Sequence, residues 1–171
     1  AGETSPVCCL PATSSRALRE AARVLSRGGL VAFPTETVYG LGVRYGDRSA
    51  RERMRRLKGR DRGKPFQYLL SGKAAALRMC GSMPPLAREF ASAFWPGGLT
   101  LVVRSPNGRW LGLRVPDHPV PRSLARRSGG ALVATSANRS GKQPARTATE
   151  ALKALGSGTD LILDGGRAKL G

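Results

Sequence analysis

Apolar residues along this chain follow two spacings, one typical of amphipathic helices and one typical of buried strands. From Ser14 to Ser26, Ala17, Ala21 and Leu25 recur at helical intervals, and arginines occupy much of the remaining surface. Short apolar runs such as residues 30–33 are typical of buried strands. The same criteria predict helices over residues 14–26, 49–57, 73–80, 84–94, 121–128 and 147–155, and strands over residues 30–33, 66–70, 99–104, 110–115, 132–135 and 161–163. Strands that alternate with helices indicate a layered α/β fold.

Two of the predicted strands are separated only by residues 105–108, Ser-Pro-Asn-Gly, which is a hairpin signal. The sheet is therefore expected to be mixed, with parallel and antiparallel pairs. The sequence contains neither a G-x-G-x-x-G turn after a strand nor a G-x-x-x-x-G-K-[ST] loop. Both observations disfavour a simple dinucleotide-binding fold.

The chain carries a formal charge of +18, from 29 Lys and Arg against 11 Asp and Glu. This charge attracts nucleotides, nucleic acids or other polyanions without choosing among them, and much of it is expected on solvated helix faces. Few aromatic residues interleave with the basic ones in the sequence, which argues against a stacking platform for single strands. No apolar run approaches the roughly 18 residues of a membrane span.

The chain has three cysteines and one histidine. Three cysteines cannot all pair within one molecule, and Cys8 and Cys9 are poorly placed to ligate a metal with His118. We therefore expect a reducing compartment, the cytoplasm, and no metal site built from these residues.

A polar segment follows the apolar strand at residues 30–33. Pro34 ends the strand, and Thr35, Glu36 and Thr37 then supply hydroxyl groups and a carboxylate. Gly40 and Gly42 are expected to adopt positive φ or to let the backbone approach a ligand. A β-turn in which threonine hydroxyls bond local backbone is the alternative interpretation.

Two further polar clusters stand beside predicted strands, at residues 135–141 and at Lys58-Gly59-Arg60. Ligands of open α/β sheets gather where strands end. We therefore expect the three clusters to form one binding site, although Lys58 and Arg60 would also suit an ordinary helix end, and residues 136–138 a helix cap.

Six segments taken together resemble the YrdC-like family of threonylcarbamoyl-adenylate synthases. They are F-P-T-E-T-V-Y-G-L-G, K-G-R, F-W-P-G-G-L-T-L-V-V, G-L-R-V-P-D-H-P, A-T-S-A-N-R-S-G and L-I-L-D-G-G, in that order from about residue 30 to 166. The resemblance implies a single domain over residues 1–171, with an open, twisted mixed sheet, flanking helices and a basic cavity. It also implies that the family's final strand is missing, and residues 1–12 are expected to be flexible.

The resemblance further implies a nucleotidyltransferase that converts L-threonine, bicarbonate and ATP, with Mg²⁺, to threonylcarbamoyl-AMP and pyrophosphate. A partner transferase would then use the product to modify tRNA. Catalysis by positioning and charge needs no covalent nucleophile. The resemblance assigns Lys58 and Arg60 as catalytic residues. It assigns ATP binding to Lys58, Arg60, Lys64, Ser136, Asn138 and Pro144, and threonine binding to Thr35, Thr37, Arg114 and Ala134.

Some residues depart from the family pattern, and two other functions stay open. Asp61 places a negative charge beside the expected phosphate site, and Leu69 stands where longer relatives place a threonine-contacting histidine. One alternative is an RNA-binding protein of this fold without synthase activity, for which a steep salt dependence of RNA affinity would be diagnostic. The other is a relative that uses carbamoyl phosphate.

Overall fold

A computed structural model describes residues 7–169. This range contains eight β-strands, β1 Cys8–Pro11, β2 Val31–Phe33, β3 Gly40–Arg44, β4 Gln67–Leu70, β5 Leu101–Arg104, β6 Trp110–Arg114, β7 Ala131–Ser136 and β8 Leu161–Asp164. It also contains six α-helices, α1 Ser15–Ser26, α2 Arg48–Lys58, α3 Lys73–Cys80, α4 Pro85–Phe94, α5 Pro119–Arg127 and α6 Ala148–Leu155. Within these residues no helix combines the length and the apolar character needed to cross a bilayer.

The eight strands form one sheet in the order β1-β8-β2-β3-β7-β4-β6-β5. β8 pairs in parallel with β1 and β2, and β4 pairs in parallel with β6, whereas β3, β5 and β7 pair antiparallel to their neighbours. Phe33 pairs with Gly40, and Gly40 pairs with Ser136. The ends of β2 and β7 and the start of β3 therefore meet at one edge of the sheet, which we call the motif edge.

Helices cover both faces of the sheet. Successive residues of β2 point to opposite faces, so Val31 and Phe33 pack with α1 and α5, while Leu30 and Ala32 pack with α2 and α6. A third apolar cluster lies between α3, α4 and the β5–β6 hairpin. The first two clusters lie on opposite faces of β2, β3 and β7, the strands whose ends form the motif edge.

The predicted α/β class, the mixed sheet and the hairpin at residues 105–108 are all confirmed. Two strands were not predicted. β1 pairs in parallel with β8 over residues 8–11, within the segment expected to be flexible, and residues 1–6 of that segment lie outside the described residues. β3 begins at Gly40, in a segment predicted to be a turn.

The ring of Phe33 explains the glycines of β3. Neither Gly40 nor Gly42 has a positive φ, so that part of the expectation is wrong. A Cβ added at Gly40 would lie 2.8 Å from Cε2 of Phe33, and one at Gly42 would lie 2.9 Å from Cε1. The two glycines make room for an aromatic side chain on the neighbouring strand.

Gly40→Ala is expected to lower the free energy of unfolding by about 1–3 kcal/mol, the usual cost of overpacking a filled core. Gly63→Ala is the control, because a Cβ there has nothing within 4 Å and φ is not positive. Urea unfolding of both variants checks the prediction. Equal stability of the two variants would contradict the packing explanation.

Candidate functional site

The motif edge brings the three predicted polar clusters together. The Nζ of Lys58, at the end of α2, donates to the carbonyl oxygens of Ser136 and Asn138 at 2.5 and 2.6 Å. The residues after β2 join the same group, because the N–H of Ala137 donates to the carbonyl of Tyr39 at 2.8 Å. Clusters that lie about 100 residues apart in the sequence therefore form one region of the molecule.

Lys58 is buried at the last position of α2, with 2% of its surface exposed. Gly59 follows in the left-handed conformation, with φ +62°, and ends the helix. An ammonium group has three N–H donors, and two of them bind carbonyls, so one stays uncommitted among the described residues. Burial, with a smaller contribution from Arg60, lowers the pKa of Lys58 from 10.5 to about 8.

This depressed pKa predicts a pH dependence of stability. Between pH 8 and pH 10.5 Lys58 is largely deprotonated in the folded chain and still largely protonated in the unfolded chain. Over this window the contribution of Lys58 to the free energy of unfolding therefore rises with pH, by up to about 1.4 kcal/mol per unit, and it is level below pH 8. Urea unfolding of the wild type and of Lys58→Met, measured across pH 7–10, isolates this contribution. Parallel curves for the two proteins would contradict it.

Arg60 lies at the same edge and packs on Phe66. Its guanidinium carbon lies 5.2 Å from the ring centroid, and Nη2 donates to the carbonyl of Pro65 at 2.8 Å. Burial first, and the charge of Arg55 second, lower the pKa of Arg60. Its Nε is buried and has no partner among the described residues.

The loop after β7 is held by Asn138. The side-chain Nδ2 donates to the carbonyls of Arg139 and Lys142 at 2.8 and 2.9 Å, which closes the loop. The N–H of Ser140 donates to the carbonyl of Lys58 at 2.8 Å, and Nη1 of Arg139 donates to the carbonyl of Leu57 at 2.7 Å. With the bond from Lys58 to Asn138, three hydrogen bonds join the loop to the end of α2. Asn138 Oδ1 and Ser140 Oγ are buried without a described partner.

Arg114 joins β6 to the segment after β2. Its Nε donates to the carbonyl of Gly97 at 3.0 Å, and Nη2 donates to Thr37 Oγ1 at 3.2 Å and to Glu36 Oε1. The ion pair with Glu36 is largely buried, with 8% and 11% of the two side chains exposed. Arg114 therefore faces the other polar residues rather than solvent.

The hydroxyl of Thr35 forms its hydrogen bonds within its own turn. Its hydroxyl donates to the carbonyl of Val38 at 2.6 Å and accepts from the N–H of Thr37 at 3.1 Å. The local-turn alternative therefore describes Thr35 well. The Thr37 hydroxyl lies 2.9 Å from the Thr35 hydroxyl and also accepts a hydrogen bond from Nη2 of Arg114.

For the remaining predicted residues the structure gives a location but no side-chain contact to the other polar clusters. Ala134 lies within β7, where it pairs with Gly42 and Gln67. Lys64 is exposed, and Pro144 is half-buried next to the loop that Asn138 closes. His118 caps α5 through Nδ1, which accepts from the N–H of Val120 at 3.2 Å.

Six buried side-chain polar atoms have no hydrogen-bond partner within residues 7–169, and four of them lie in the predicted motifs: Glu36 Oε2, Arg60 Nε, Asn138 Oδ1 and Ser140 Oγ. The other two, Arg146 Nε and Thr159 Oγ1, lie outside these motifs. Most buried polar atoms in proteins are paired, so a group of unpaired ones needs an explanation. A polar ligand at the motif edge would supply the missing partners.

Sequence comparison decides the family. The profile of the Sua5/YciO/YrdC family, described as "Telomere recombination", matches residues 23–171. The chain is 36% identical over 168 residues to the threonylcarbamoyl-AMP synthase of Halorhodospira halophila, covering 92% of this chain and 87% of the relative. It is 37% identical over 157 residues to that of Nitrosococcus oceani, covering 86% and 85%.

This chain belongs to the Sua5/YciO/YrdC family. The crystal structure of P. abyssi Sua5 complexed with L-threonine superposes on it with a TM-score of 0.88 at 30% identity, covering 96% of this chain. The chain spans about half the length of that Sua5, 51%. The fold that the sequence motifs implied is thus confirmed for this member of the family.

Glu36 and Ser140 lie in the polar clusters that were expected to form the site, but neither was assigned a ligand from the sequence. Both carry a buried oxygen without a partner among the described residues. A glutamate that directly follows a strand-ending Pro-Thr was a signal that the sequence offered, but its pairing with Arg114 needed the fold. Within the described residues no three His, Cys, Asp or Glu side chains cluster as metal ligands.

Proposed function

We propose that this chain is a threonylcarbamoyl-AMP synthase, which converts L-threonine, bicarbonate and ATP to threonylcarbamoyl-AMP and pyrophosphate. The observation that carries the proposal is the group of buried, unpaired polar atoms at the motif edge, on Glu36, Arg60, Asn138 and Ser140. These atoms lie beside two buried cations, Lys58 and Arg114, in a chain whose relatives bear this name.

The ATP side of the site is assigned to the end of α2 and the loop after β7. The third N–H of Lys58 and the Nε of Arg60 would donate to phosphate oxygens, because ionised donors form the stronger hydrogen bonds. Ser136, Asn138 and Pro144 lie in the adjoining loop, with Lys64 at its exposed side. Mg²⁺ would arrive on the phosphates of the nucleotide, as part of the substrate, with most of its ligands from phosphate and water.

The threonine side is assigned to Arg114 and the segment after β2. The guanidinium of Arg114 is suited to a carboxylate. Thr37 contacts that guanidinium, Thr35 lies in the same turn as Thr37, and Ala134 would contribute its backbone from β7. The unpaired Glu36 Oε2 is suited to the amino group of threonine. An amino acid would thus meet a cation and an anion that the fold already holds side by side.

In the reaction, the amino nitrogen of threonine would first bond to the carbon of bicarbonate, and one bicarbonate oxygen would leave as water. An oxygen of the resulting threonine carbamate would then bond to the α-phosphorus while the bond from that phosphorus to the departing pyrophosphate breaks. Holding the two reactants in line supplies much of the rate enhancement, and Lys58 and Arg60 neutralise charge on the phosphates. No residue of the chain forms a covalent bond to substrate in this scheme.

The product would be passed to a transferase that modifies tRNA, and we place the protein in the cytoplasm. The free thiols of Cys8 and Cys9, which are exposed in the structure, suit a reducing compartment.

The direct test is product analysis. The purified chain is incubated with MgATP, L-threonine and ¹³C-bicarbonate, and the mixture is analysed by mass spectrometry. A threonylcarbamoyl-AMP signal that carries the ¹³C label is expected. A second mixture contains MgATP and ¹³C-carbamoyl phosphate in place of threonine and bicarbonate. A labelled adenylate in that mixture, with no labelled product in the first, would replace the proposal with the carbamoyl-transfer alternative.

A further inference from the structure

Strand β1 forms one end of the sheet, where it pairs with β8 alone. The N–H of Ala12 donates to the carbonyl of Asp164 at the end of β8, and backbone groups alternate in direction along a strand. Leu10 therefore directs its N–H and C=O toward β8 as well, whereas Cys9 and Pro11 direct theirs away from the sheet. Among the described residues, this leaves an open N–H and C=O on Cys9 and an open C=O on Pro11, which has no N–H.

The outer edge of β1 lacks the usual protection of an edge strand. Exposed edges usually carry charged side chains that prevent pairing with another chain. β1 has the sequence Cys-Cys-Leu-Pro, without a charge, and both cysteines are exposed. β5, at the other end of the sheet, includes Arg104. The edge of β1 is therefore the more open of the two to a further strand.

An apolar groove of about 560 Å³ runs along β1 on the face that α1 covers. Cys8 and Leu10 line it from β1, and Ala17 lines it from α1. Its charged residues are one arginine, Arg16, and one glutamate, Glu20, so the groove is locally neutral in a chain with a net charge of +18. Two copies of so basic a chain repel each other over most of their surface, and a neutral, apolar edge is where they approach most easily.

We propose that β1 pairs antiparallel with β1 of a second copy of this chain, across a two-fold axis that passes between the Cys9 residues of the two copies. In this register the two Cys9 residues exchange both of their backbone hydrogen bonds, and Cys8 lies opposite Leu10 of the second copy. The N–H of Val7 donates to the carbonyl of Pro11 in the second copy. The missing N–H of Pro11 therefore removes only one hydrogen bond on each side of the axis.

The second copy suits this edge because a two-fold interface must be self-complementary. The open N–H and C=O of Cys9 meet the same two groups of the other copy, with donor facing acceptor. The apolar side chains of Cys8 and Leu10 from both copies lie together beside the two grooves, and each groove contributes equal positive and negative charge. The two sheets thus become one continuous sheet.

Disulfide trapping tests the register. Residues that exchange both backbone hydrogen bonds have Cα atoms about 5.5 Å apart, a separation that a disulfide spans. Cys8 points to the other face of the sheet and lies opposite Leu10, so the two Cys8 thiols do not meet. Oxidation with diamide is expected to give a disulfide-linked dimer from the wild type and from Cys8→Ser, and about tenfold less of it from Cys9→Ser.

Cys8→Ser and Cys9→Ser are matched variants, because each removes one exposed thiol from the same strand, and the remaining Cys80 is buried. Under reducing conditions the backbone hydrogen bonds alone hold the interface, and the disulfide serves only as a probe of distance. Dimers linked equally well through Cys8, or the absence of any linked dimer, would overturn the proposed register.

Sedimentation velocity in a reducing buffer tests the association itself, over about a hundredfold range of concentration. Cys9→Lys places two like charges directly opposite each other at the axis and is expected to raise the Kd of the dimer by about tenfold or more. Val102→Lys is the control, because Val102 is exposed on β5, the opposite edge of the sheet. It is expected to change the Kd by less than about twofold, since it adds the same charge far from the axis.

Circular dichroism of both lysine variants separates a lost interface from a lost fold. A wild-type chain that stays monomeric over the whole concentration range would contradict the proposal. Equal weakening by Cys9→Lys and Val102→Lys would also contradict it, because net charge rather than the edge of β1 would then control association.

Discussion

Lys58→Met is expected to lower kcat/KM for pyrophosphate release by about 100-fold or more. The substitution keeps an unbranched chain of similar length but removes the ammonium that binds the carbonyls of Ser136 and Asn138. Hydrogen bonds from a charged group contribute about 1.5–3 kcal/mol each, and each 1.4 kcal/mol of transition-state stabilisation is worth tenfold in rate. The expected loss of kcat/KM has two causes, a less firmly held loop after β7 and a missing contact to phosphate.

Lys153→Met serves as the control for this variant, because Lys153 is exposed on α6. Steady-state kinetics and circular dichroism are measured on both proteins, so that unfolding is separated from lost catalysis. A folded Lys58→Met protein that keeps more than a tenth of the wild-type kcat/KM would remove Lys58 from the site.

Arg114→Gln is expected to raise the KM for threonine about 100-fold and to leave the KM for ATP within about threefold of wild type, since the lost charge-assisted bond concerns only the amino acid. It is also expected to destabilise the fold by about 3–5 kcal/mol, because Glu36 is left as a buried, unpaired carboxylate. Titration of each substrate separates the two KM values.

The double variant Glu36→Gln/Arg114→Gln distinguishes binding from stability. Removing both charges is expected to recover much of the lost stability while the KM for threonine stays high. Recovery of threonine affinity together with stability would show that Arg114 acts only through the fold.

Much of the fold could be predicted from the sequence, because the relevant patterns are local. Helix α3 was predicted at its observed bounds, because it lies between Gly72 and Gly81. Helix α1 was predicted within one residue, because its apolar spacing is helical and Ser14 caps its first turn. Strand β3 could not be predicted, because Gly40 and Gly42 are poor strand residues. Only the packing of Phe33 from the neighbouring strand explains them.

For the site, too, the sequence predicted the residues but not the contacts between them. The sequence motifs predicted which residues gather at the motif edge, and Lys58 does contact the loop of Ser136 and Asn138. The partners of individual atoms depend on register across the sheet, so the Arg114–Glu36 pair could not be derived from the sequence.

The most direct test of the synthase activity is pyrophosphate release from MgATP with threonine and bicarbonate each present or omitted, on the wild type and on Arg60→Ala. The proposed function predicts release that requires both co-substrates and that falls by about 100-fold in the variant, as expected for loss of a phosphate-binding guanidinium in the transition state. Release that is indifferent to threonine, or equal in the wild type and Arg60→Ala, would contradict it.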